Sequence, residues 1–240
     1  MQRIVLMFIR SFFHLPYYLI MLKVLTNTKK HDRFERYEFL HKRAGDAIRR
    51  GRVKVIIEGE ENMPKEDGFI ITPNHQGLFD CLTFLKFMDR PFATVMKKEL
   101  RNVFLLRDVI TLLSAEIIDR ENVRQAITVI NDMTERIKNG ENFIIFPEGT
   151  RSKKGNEIGT FKAGSFKCAM NAHCPIVPAA LVDSFLPFDS GTIKPVTVKL
   201  FILKPLYYEN YKGMKSQEIA ELVSGMIREK IKEAVNTAGA

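Results

Sequence analysis

The 240-residue chain has no tryptophan and only three cysteines, Cys81, Cys168 and Cys174. Their irregular spacing includes no Cys-x-x-Cys pair, which disfavours a zinc or dithiol redox site. We interpret them as reduced cytosolic thiols, and a packed Cys81 is favoured over a catalytic one. The chain also lacks internal repeats, low-complexity runs and the Gly-x-Ser-x-Gly elbow of a serine hydrolase. Its length suits one α/β domain with an appended element.

Long uncharged apolar runs are missing as well. The longest, residues 11–22, has twelve residues when His14 is neutral, whereas a helix needs roughly twenty to span a bilayer. A full membrane crossing is therefore disfavoured. Arg10 interrupts the apolar core that a signal peptide requires, and no small-residue cleavage site follows it. A secretory signal is therefore not predicted.

Positive charge is concentrated at the amino terminus. Residues 1–54 hold thirteen Lys or Arg against four Asp or Glu, whereas residues 55–240 hold twenty-four of each. The whole net charge of +9 therefore belongs to the amino-terminal part. Polar and basic side chains recur there at helical spacing and share one stripe: Arg3, Arg10, His14 and Tyr17. This stripe beside many Phe and Leu residues predicts a helix lying in the plane of a membrane surface.

A second amphipathic helix is predicted to follow. Its basic residues are Lys29, Lys30, Arg33, Arg36, Lys42, Arg43, Arg49 and Arg50, and its apolar members are Phe34, Tyr37, Phe39, Leu40 and Ala44. We predict that residues 1–52 bind the anionic cytoplasmic leaflet, each basic residue near the surface adding about 1 kcal/mol. The alternative is a core-packing helix followed by a solvated basic one. Nucleic-acid binding is disfavoured because the cations adjoin a long aliphatic run rather than spaced aromatic residues.

Apolar segments alternate with helical patterns from residue 53 onward. Strands are predicted at residues 53–58, 68–73, 92–96, 115–119, 142–146, 176–182 and 196–203, the first of them at an edge. Helices are predicted at residues 81–87, 121–139 and 216–234. Residues 53–240 therefore predict a single α/β domain with a mixed, mainly parallel sheet covered by helices. The amphipathic membrane element precedes this domain.

The segment 74–80 places an imidazole and a carboxylate five residues apart, where a strand gives way to a helix. His75 is expected in the turn at the carboxyl end of the strand, where open α/β sheets bind their ligands. Asp80 can accept the imidazole N–H and fix its tautomer, which leaves the other ring nitrogen to act as a general base. Taken alone, the pair is more typical of a solvated turn with an Asp N-cap.

A second polar cluster follows the strand predicted at residues 142–146. Glu148, Gly149, Thr150 and Arg151 stand side by side there. Such a cluster suits a phosphorylated polyol. Glu148 would supply an acceptor, Gly149 a close backbone approach and Arg151 a bidentate phosphate contact. An ordinary strand-to-loop turn is the alternative on local grounds.

Together these residues resemble the glycerolipid acyltransferase superfamily, and most closely its bacterial 1-acylglycerol-3-phosphate acyltransferases. Residues 74–80 are similar to the first block of the family, Asn-His-x4-Asp, and residues 146–152 match the third block, Phe-Pro-Glu-Gly-Thr-Arg-Ser. Residues 116–120 resemble the second block, which ends in an Arg, and residues 175–179 resemble the fourth. The blocks occur in the order of the family.

The resemblance implies acyl transfer from a thioester to the sn-2 hydroxyl of lysophosphatidate, giving phosphatidate without an acyl-enzyme. His75 is the implied general base and Asp80 its orienting acid. The arginines and Lys97 are implied to hold the phosphate of the acceptor, and Glu148 its glycerol. The implied substrate-binding residues are Lys97, Arg120, Glu148, Gly149, Thr150 and Arg151.

The implied donor is acyl-CoA or acyl carrier protein, with no metal and no cofactor. Gly77 and Ile117 stand where many members have Ser and Phe. Relatives that acylate glycerol 3-phosphate or another lysophospholipid share the first and third blocks, so these acceptors stay open. The expected location is the cytoplasmic face of the cell membrane, with peripheral or monotopic attachment. A non-catalytic peripheral membrane protein that binds lipid is the alternative from a different class.

Overall fold

The computed structural model of the protein describes residues 2–119 and 121–238. The strands of this part are β1 (Val53–Glu58), β2 (Ile70–Pro73), β3 (Phe92–Lys97), β4 (Glu116–Ile118), β5 (Asn142–Ile144), β6 (Ile176–Val182) and β7 (Val196–Ile202). Its helices are α1 (Gln2–Ser11), α2 (Leu15–Val24), α3 (Arg33–Arg50), α4 (Phe79–Phe87), α5 (Leu106–Leu112), α6 (Val123–Lys138), α7 (Lys167–Ala172), α8 (Leu186–Asp189), α9 (Tyr208–Tyr211) and α10 (Ser216–Ala238). Helix α6 begins two residues later than predicted because Asn122 caps it, accepting from the Gln125 N–H at 3.1 Å.

The strands form one sheet in the order β1-β7-β6-β2-β5-β3-β4. Five neighbours, β6, β2, β5, β3 and β4, run parallel to one another. Strand β7 is antiparallel to β6 and pairs in parallel with β1, which confirms residues 53–58 as an edge strand. The carboxyl ends of the five parallel strands therefore meet along one border of the sheet, which we term the carboxyl edge.

Helices cover both faces of the sheet because its central strands carry apolar side chains in both directions. On β6, Ala180 belongs to the core beneath α6, α7 and α10, whereas its neighbour Leu181 belongs to the core beneath α3, α4 and α5. The predicted α/β domain with a mixed, mainly parallel sheet is confirmed. Layers of this kind leave the carboxyl edge to be closed by loops. The motifs that begin at Asn74 and at Pro147 follow β2 and β5 into those loops.

Helix α3 packs on the domain instead of facing a membrane. Its apolar residues Tyr37, Leu40 and Ala44 are buried in the same core as the central strands. Arg36 is buried too and donates to the Thr111 carbonyl at 2.7 Å. The membrane-facing interpretation of this second helix is therefore wrong, because the domain already covers its apolar side. The boundary at residue 52 stays a prediction.

Two of the cations assigned to that helix lie before it. Asp32 caps α3 by accepting the Glu35 N–H at 2.9 Å, so the helix begins at Arg33. Lys29 and Lys30 consequently belong to the turn that joins α2 to α3. The sequence grouped Lys29 and Lys30 with α3 because their spacing fits a helix. The N-cap at Asp32 starts the helix after them, so that spacing does not describe their structure.

Arg3 anchors the amino-terminal helices to the domain. Its buried guanidinium donates at 2.6–2.9 Å to the carbonyls of Gly51, Pro187, Thr192 and Lys194. Arg3 therefore does not lie among lipid headgroups, and the predicted polar stripe is wrong at this position. A guanidinium has five donors, which suits it to gathering several carbonyls that are far apart in sequence.

The other end of the amino-terminal segment is attached as well. Leu22 and Leu25 are buried in the core beneath α3. The helical segment Gln2–Val24, 23 residues long, is long and apolar enough to cross a membrane by length and composition alone. The length of the uncharged run alone was therefore not sufficient to disfavour a full membrane crossing. Between the two attached ends, Phe12 and Phe13 are 68% and 92% exposed.

Candidate active site

His75 lies in the turn where β2 leaves the carboxyl edge. The preceding Asn74 fixes this departure, because its side-chain amide pairs with both backbone groups of Leu181 on β6, accepting from the N–H at 2.7 Å and donating to the carbonyl at 3.0 Å. Asn74 is buried, so these bonds are shielded from competing water. The turn that carries His75 is thereby tied to the neighbouring strand.

Asp80, in the first turn of α4, holds the imidazole. Its Oδ2 lies 2.7 Å from His75 Nδ1 and also accepts the backbone N–H groups of Gln76 (2.8 Å) and Gly77 (3.0 Å). Its Oδ1 accepts the Ser184 hydroxyl at 2.6 Å. Asp80 is fully buried, and these four donors satisfy both carboxylate oxygens, as a buried charge requires.

This contact set defines the tautomer of His75. Backbone N–H groups can only donate, so Oδ2 acts as an acceptor, and the facing Nδ1 of His75 must carry a hydrogen. Nε2 then presents its lone pair, as a general base requires. The His75 ring is 23% exposed and stacks on Phe146 at a centroid distance of 4.2 Å. The predicted pairing of His75 with Asp80 is thus present in the structure.

Glu148 joins the turn after β5 to the turn that carries His75. Its Oε1 accepts the His75 backbone N–H at 2.8 Å, and its Oε2 accepts the Gly159 N–H at 2.9 Å. Burial raises the pKa of Glu148, and the two N–H contacts oppose that rise. A Cβ at Gly159 would lie 2.7 Å from Oε2, so a larger residue there would displace this carboxylate oxygen. Glu148 therefore joins the two turns through their backbone N–H groups, and its predicted contact with glycerol stays a prediction.

The turn of residues 147–152 also contacts the turn that carries His75. Gly149 adopts φ +70°, which favours glycine, and the Ser152 N–H donates to the His75 carbonyl at 2.9 Å. Arg151 directly precedes Ser152 and is half-buried, whereas Thr150 is exposed. The structure thus brings the first and third motifs together through their backbones, with Arg151 one residue from a direct contact to the His75 turn.

Lys97 belongs to a strand farther along the carboxyl edge. Lys97 ends β3, is exposed and lies 3.2 Å from Glu99. It pairs in register with Ile118, the last residue of β4. Arg120, two residues beyond, lies outside the described residues. Because neighbouring strands are about 4.8 Å apart, the order β2, β5, β3 places the end of β3, and with it Lys97, two strands away from the end of β2 that precedes His75.

Gln76 and Ser184 also belong to the site, although neither was among the site residues predicted from sequence. Gln76 is buried, accepts the Ser184 N–H at 2.7 Å and donates to Asn156 at 2.8 Å and to the Leu181 carbonyl at 3.0 Å. Ser184 supplies the fourth donor to Asp80 and stands two residues after β6. Both residues are polar and follow the end of a buried parallel strand, and this pattern could have indicated that they belong to the site. The carboxyl ends of such strands all meet at one edge of the sheet.

The environment of Cys81 disfavours a nucleophilic role. Burial, with a smaller contribution from the neighbouring Asp80 charge, raises the pKa of its thiol to about 12. The reactive form of cysteine is the thiolate, which is scarcely populated at neutral pH with such a pKa. The packed role favoured for Cys81 agrees with this environment.

The sequence matches the Acyltransferase family model over residues 54–182, more than half of the chain. The chain therefore belongs to the Acyltransferase family, and the resemblance of its ordered motifs is confirmed. The probable 1-acyl-sn-glycerol-3-phosphate acyltransferase of Mycoplasma pneumoniae is 35% identical over 143 residues, 58% of this chain and 53% of the relative. A 1-acyl-sn-glycerol-3-phosphate acyltransferase of Saccharomyces cerevisiae is 30% identical over 185 residues, 75% of this chain and 60% of the relative. The chain spans between half and three fifths of the length of these curated relatives.

The fold has a solved counterpart. The crystal structure of the 1-acyl-sn-glycerophosphate (LPA) acyltransferase PlsC from Thermotoga maritima superposes with a TM-score of 0.76 over 97% of this chain and 96% of that one, at 24% identity. The two chains share a fold over nearly their full lengths, including the amino-terminal helices.

Proposed function

We propose that the protein transfers a fatty acyl group from acyl-CoA or acyl carrier protein to the sn-2 hydroxyl of 1-acylglycerol 3-phosphate, forming phosphatidate. The observation that carries this proposal is the His75–Asp80 pair, held at 2.7 Å beside the Gly149–Arg151 turn. Membership of the Acyltransferase family supports the reaction class, and the relatives named as 1-acyl-sn-glycerol-3-phosphate acyltransferases support the acceptor.

His75 Nε2 takes the proton of the acceptor hydroxyl as its oxygen attacks the thioester carbonyl. The new C–O bond forms, and backbone N–H groups beside the site stabilise the oxyanion. Collapse of the tetrahedral intermediate breaks the C–S bond, and the imidazolium returns its proton to the departing thiolate. The Asp80 carboxylate stabilises the imidazolium between these steps. No acyl-enzyme forms, because the acceptor supplies the nucleophilic oxygen.

We assign the acceptor phosphate to Arg151 and Lys97 at the carboxyl edge and, from the sequence motif alone, to Arg120. Arg151 follows the close backbone approach at Gly149 and offers a two-point contact to phosphate oxygens. Glu148 has a positioning role in this scheme, since both its oxygens already hold backbone N–H groups. Gly149 and Thr150 are uncharged and contribute the backbone of the turn that positions Arg151.

Purified full-length protein tests the proposal directly. Radiolabelled acyl-CoA and acyl carrier protein are each supplied with lysophosphatidate, glycerol 3-phosphate or another lysophospholipid, and the labelled product is identified. Phosphatidate formed fastest from lysophosphatidate is the expected result. Preference for glycerol 3-phosphate would reassign the acceptor. Lipid binding without transfer to any acceptor would leave the protein a non-catalytic lipid-binding member of its family.

Arg151→Lys should raise the KM for lysophosphatidate by about tenfold with little change in the KM for acyl-CoA, because an ammonium keeps the charge but loses the bidentate contact. Steady-state kinetics with each substrate varied in turn measure both constants. Lys65→Gln is the matched control, since Lys65 is an exposed cation before β2, at the opposite border of the sheet. A defect confined to the donor would show that Arg151 does not bind the phosphate.

We infer a peripheral or monotopic attachment to the cytoplasmic face of the cell membrane. Both ends of the segment Gln2–Val24 pack on one domain, through Arg3 and Leu22, so the segment lies along the protein surface. Its exposed large hydrophobic side chains are Val5, Phe8, Ile9, Phe12, Phe13, Tyr17, Leu19, Ile20 and Val24. A contiguous apolar surface of this kind on a basic segment is typical of interfacial helices.

The double substitution Phe12→Ser/Phe13→Ser should lower binding to anionic vesicles by more than tenfold, since each aromatic ring loses its burial in lipid. Cosedimentation at low and high salt measures this, and the wild type should stay bound at high salt because apolar burial is not screened. Deleting residues 1–25 is a poorer test, because it also removes Arg3 and Leu22 from the fold. Equal binding by wild type and double variant would place the membrane contact elsewhere.

A further inference from the structure

A strained apolar turn follows β3 at the carboxyl edge. After Lys97 a short 3-10 helix, Lys98–Asn102, leads to Val103, Phe104 and Leu105 before α5 begins. Phe104 is 83% exposed, and Val103 is exposed as well. Leu105 has φ +68°, a backbone conformation that costs free energy for a residue with a Cβ. The chain therefore holds an unfavourable conformation in a turn that presents an aromatic ring to the outside.

This turn is continuous with the amino-terminal helices. A groove of about 590 Å³ is lined by Leu19 and Lys23 of α2 on one side and by the turn on the other. Leu19 is among the exposed apolar residues of the amino-terminal segment. The apolar surface of residues 2–24 therefore extends across the groove to Phe104, although the two segments are about eighty residues apart in sequence.

The charge around the turn is positive. Arg101 and Arg107 flank the exposed apolar residues, and Lys23 faces them across the groove. Asp108 is the carboxylate that lines the same groove, and it pairs with Lys23 at 3.5 Å. An aromatic tip framed by basic side chains matches the interface of an anionic bilayer, where rings lie at headgroup depth and cations meet lipid phosphates.

Phe34 offers a contrast within the same chain. It is 68% exposed near the start of α3, and its surroundings include Asp32, Glu35, Glu38 and Asp89 together with Pro91. Pro91 precedes β3, so Phe34 lies at the opposite border of the sheet from His75. An anionic surface would repel this acidic region. Exposure of a phenylalanine and positive charge around it therefore occur together at Phe104 but not at Phe34.

We propose that residues 101–107 form a second contact with an anionic lipid bilayer, in which Phe104 inserts and Arg101 and Arg107 bind headgroup phosphates. Together with the exposed face of residues 2–24, this contact presses the carboxyl edge, and hence the His75 turn, against the membrane surface. The inference rests on the proposed function, because it assumes a lipid-facing active site. It adds a separate point of attachment that fixes the orientation of the enzyme.

Because the chain contains no tryptophan, the fluorescence of an introduced tryptophan reports on its own position without background. Phe104→Trp and the matched control Phe34→Trp each introduce a single indole into the full-length protein. With vesicles of phosphatidylglycerol and phosphatidylcholine, the indole at position 104 should shift its emission to the blue and be quenched by brominated acyl chains. The indole at position 34 should do neither. Unshifted, unquenched emission from position 104 in vesicle-bound protein overturns the proposal.

Phe104→Ser supplies the energetic test, with Phe34→Ser as control. We expect about a tenfold loss of vesicle binding for Phe104→Ser, none for Phe34→Ser, and unchanged turnover of both on a soluble short-chain lysophosphatidate. Thermal melting verifies that each variant folds. A raised KM for the soluble acceptor with unchanged vesicle binding would show that the groove holds substrate instead. Failure of the acyltransferase proposal appears separately, as absent turnover in the wild type.

Discussion

Replacing His75 by alanine should lower the turnover of acyl transfer by about a hundred- to ten-thousand-fold, the usual contribution of a positioned general base. Folding should survive the change, because Asp80 keeps three of its four donors, the N–H groups of Gln76 and Gly77 and the hydroxyl of Ser184. Single-turnover kinetics of purified His75→Ala, with a thermal melt and vesicle cosedimentation alongside, separate lost chemistry from lost structure.

His31→Ala is the matched control for this substitution. His31 also pairs with a carboxylate, Glu35 at 2.9 Å, but on an exposed turn before α3. It should therefore turn over like the wild type. Near-normal turnover by His75→Ala would mean that another group removes the proton of the acceptor. A loss of folding by His75→Ala would instead give the imidazole a structural role.

The pairing of His75 with Asp80 could be predicted from sequence because it is local. Both residues belong to one strand-turn-helix unit, and five residues of chain bring the imidazole and the carboxylate within 2.7 Å. The sheet could be predicted for a similar reason, since each strand is marked by its own apolar run. The predicted strand ends lie within about two residues of the observed ends where a proline or a helix N-cap follows the apolar run.

The role of Glu148 could not be predicted in this way. A carboxylate beside Gly149 and Arg151 suggests a ligand when the motif is considered alone. Its actual partners are the N–H groups of His75 and Gly159, 73 and 11 residues away. Only the adjacency of β2 and β5 brings the first of these groups into reach, and strand order is not encoded in any one motif.

Arg3 illustrates the same limit at the amino terminus. The helical stripe placed it on a polar face because periodicity describes an isolated helix. Its acceptors are carbonyls contributed by residues 51, 187, 192 and 194, which tertiary packing alone brings together. The apolar side of α3 was misassigned for the same reason. An amphipathic pattern predicts that one face is covered but not whether protein or lipid covers it.

A comparison of Asp80→Ala with Asp80→Asn should distinguish the contribution of Asp80 to stability from its contribution to catalysis. Asp80→Ala leaves the imidazole Nδ1–H and two backbone N–H groups buried without an acceptor, which should lower the free energy of unfolding by about 3–5 kcal/mol. Asp80→Asn can keep its amide oxygen toward those three donors, because the N–H groups of Gln76 and Gly77 select the oxygen. Its NH2 group then faces Ser184, whose hydroxyl rotates to accept.

Asp80→Asn should consequently unfold near the wild-type denaturant concentration and retain the Nδ1–H tautomer of His75. Turnover should still fall, but by less than in His75→Ala, because a neutral amide stabilises the imidazolium less than a carboxylate does. Urea unfolding and single-turnover kinetics of both Asp80 variants make the comparison. Turnover of Asp80→Asn as low as that of His75→Ala would indicate a reversed amide that forces His75 into the opposite tautomer. Wild-type turnover would show that the charge of Asp80 contributes nothing to proton transfer.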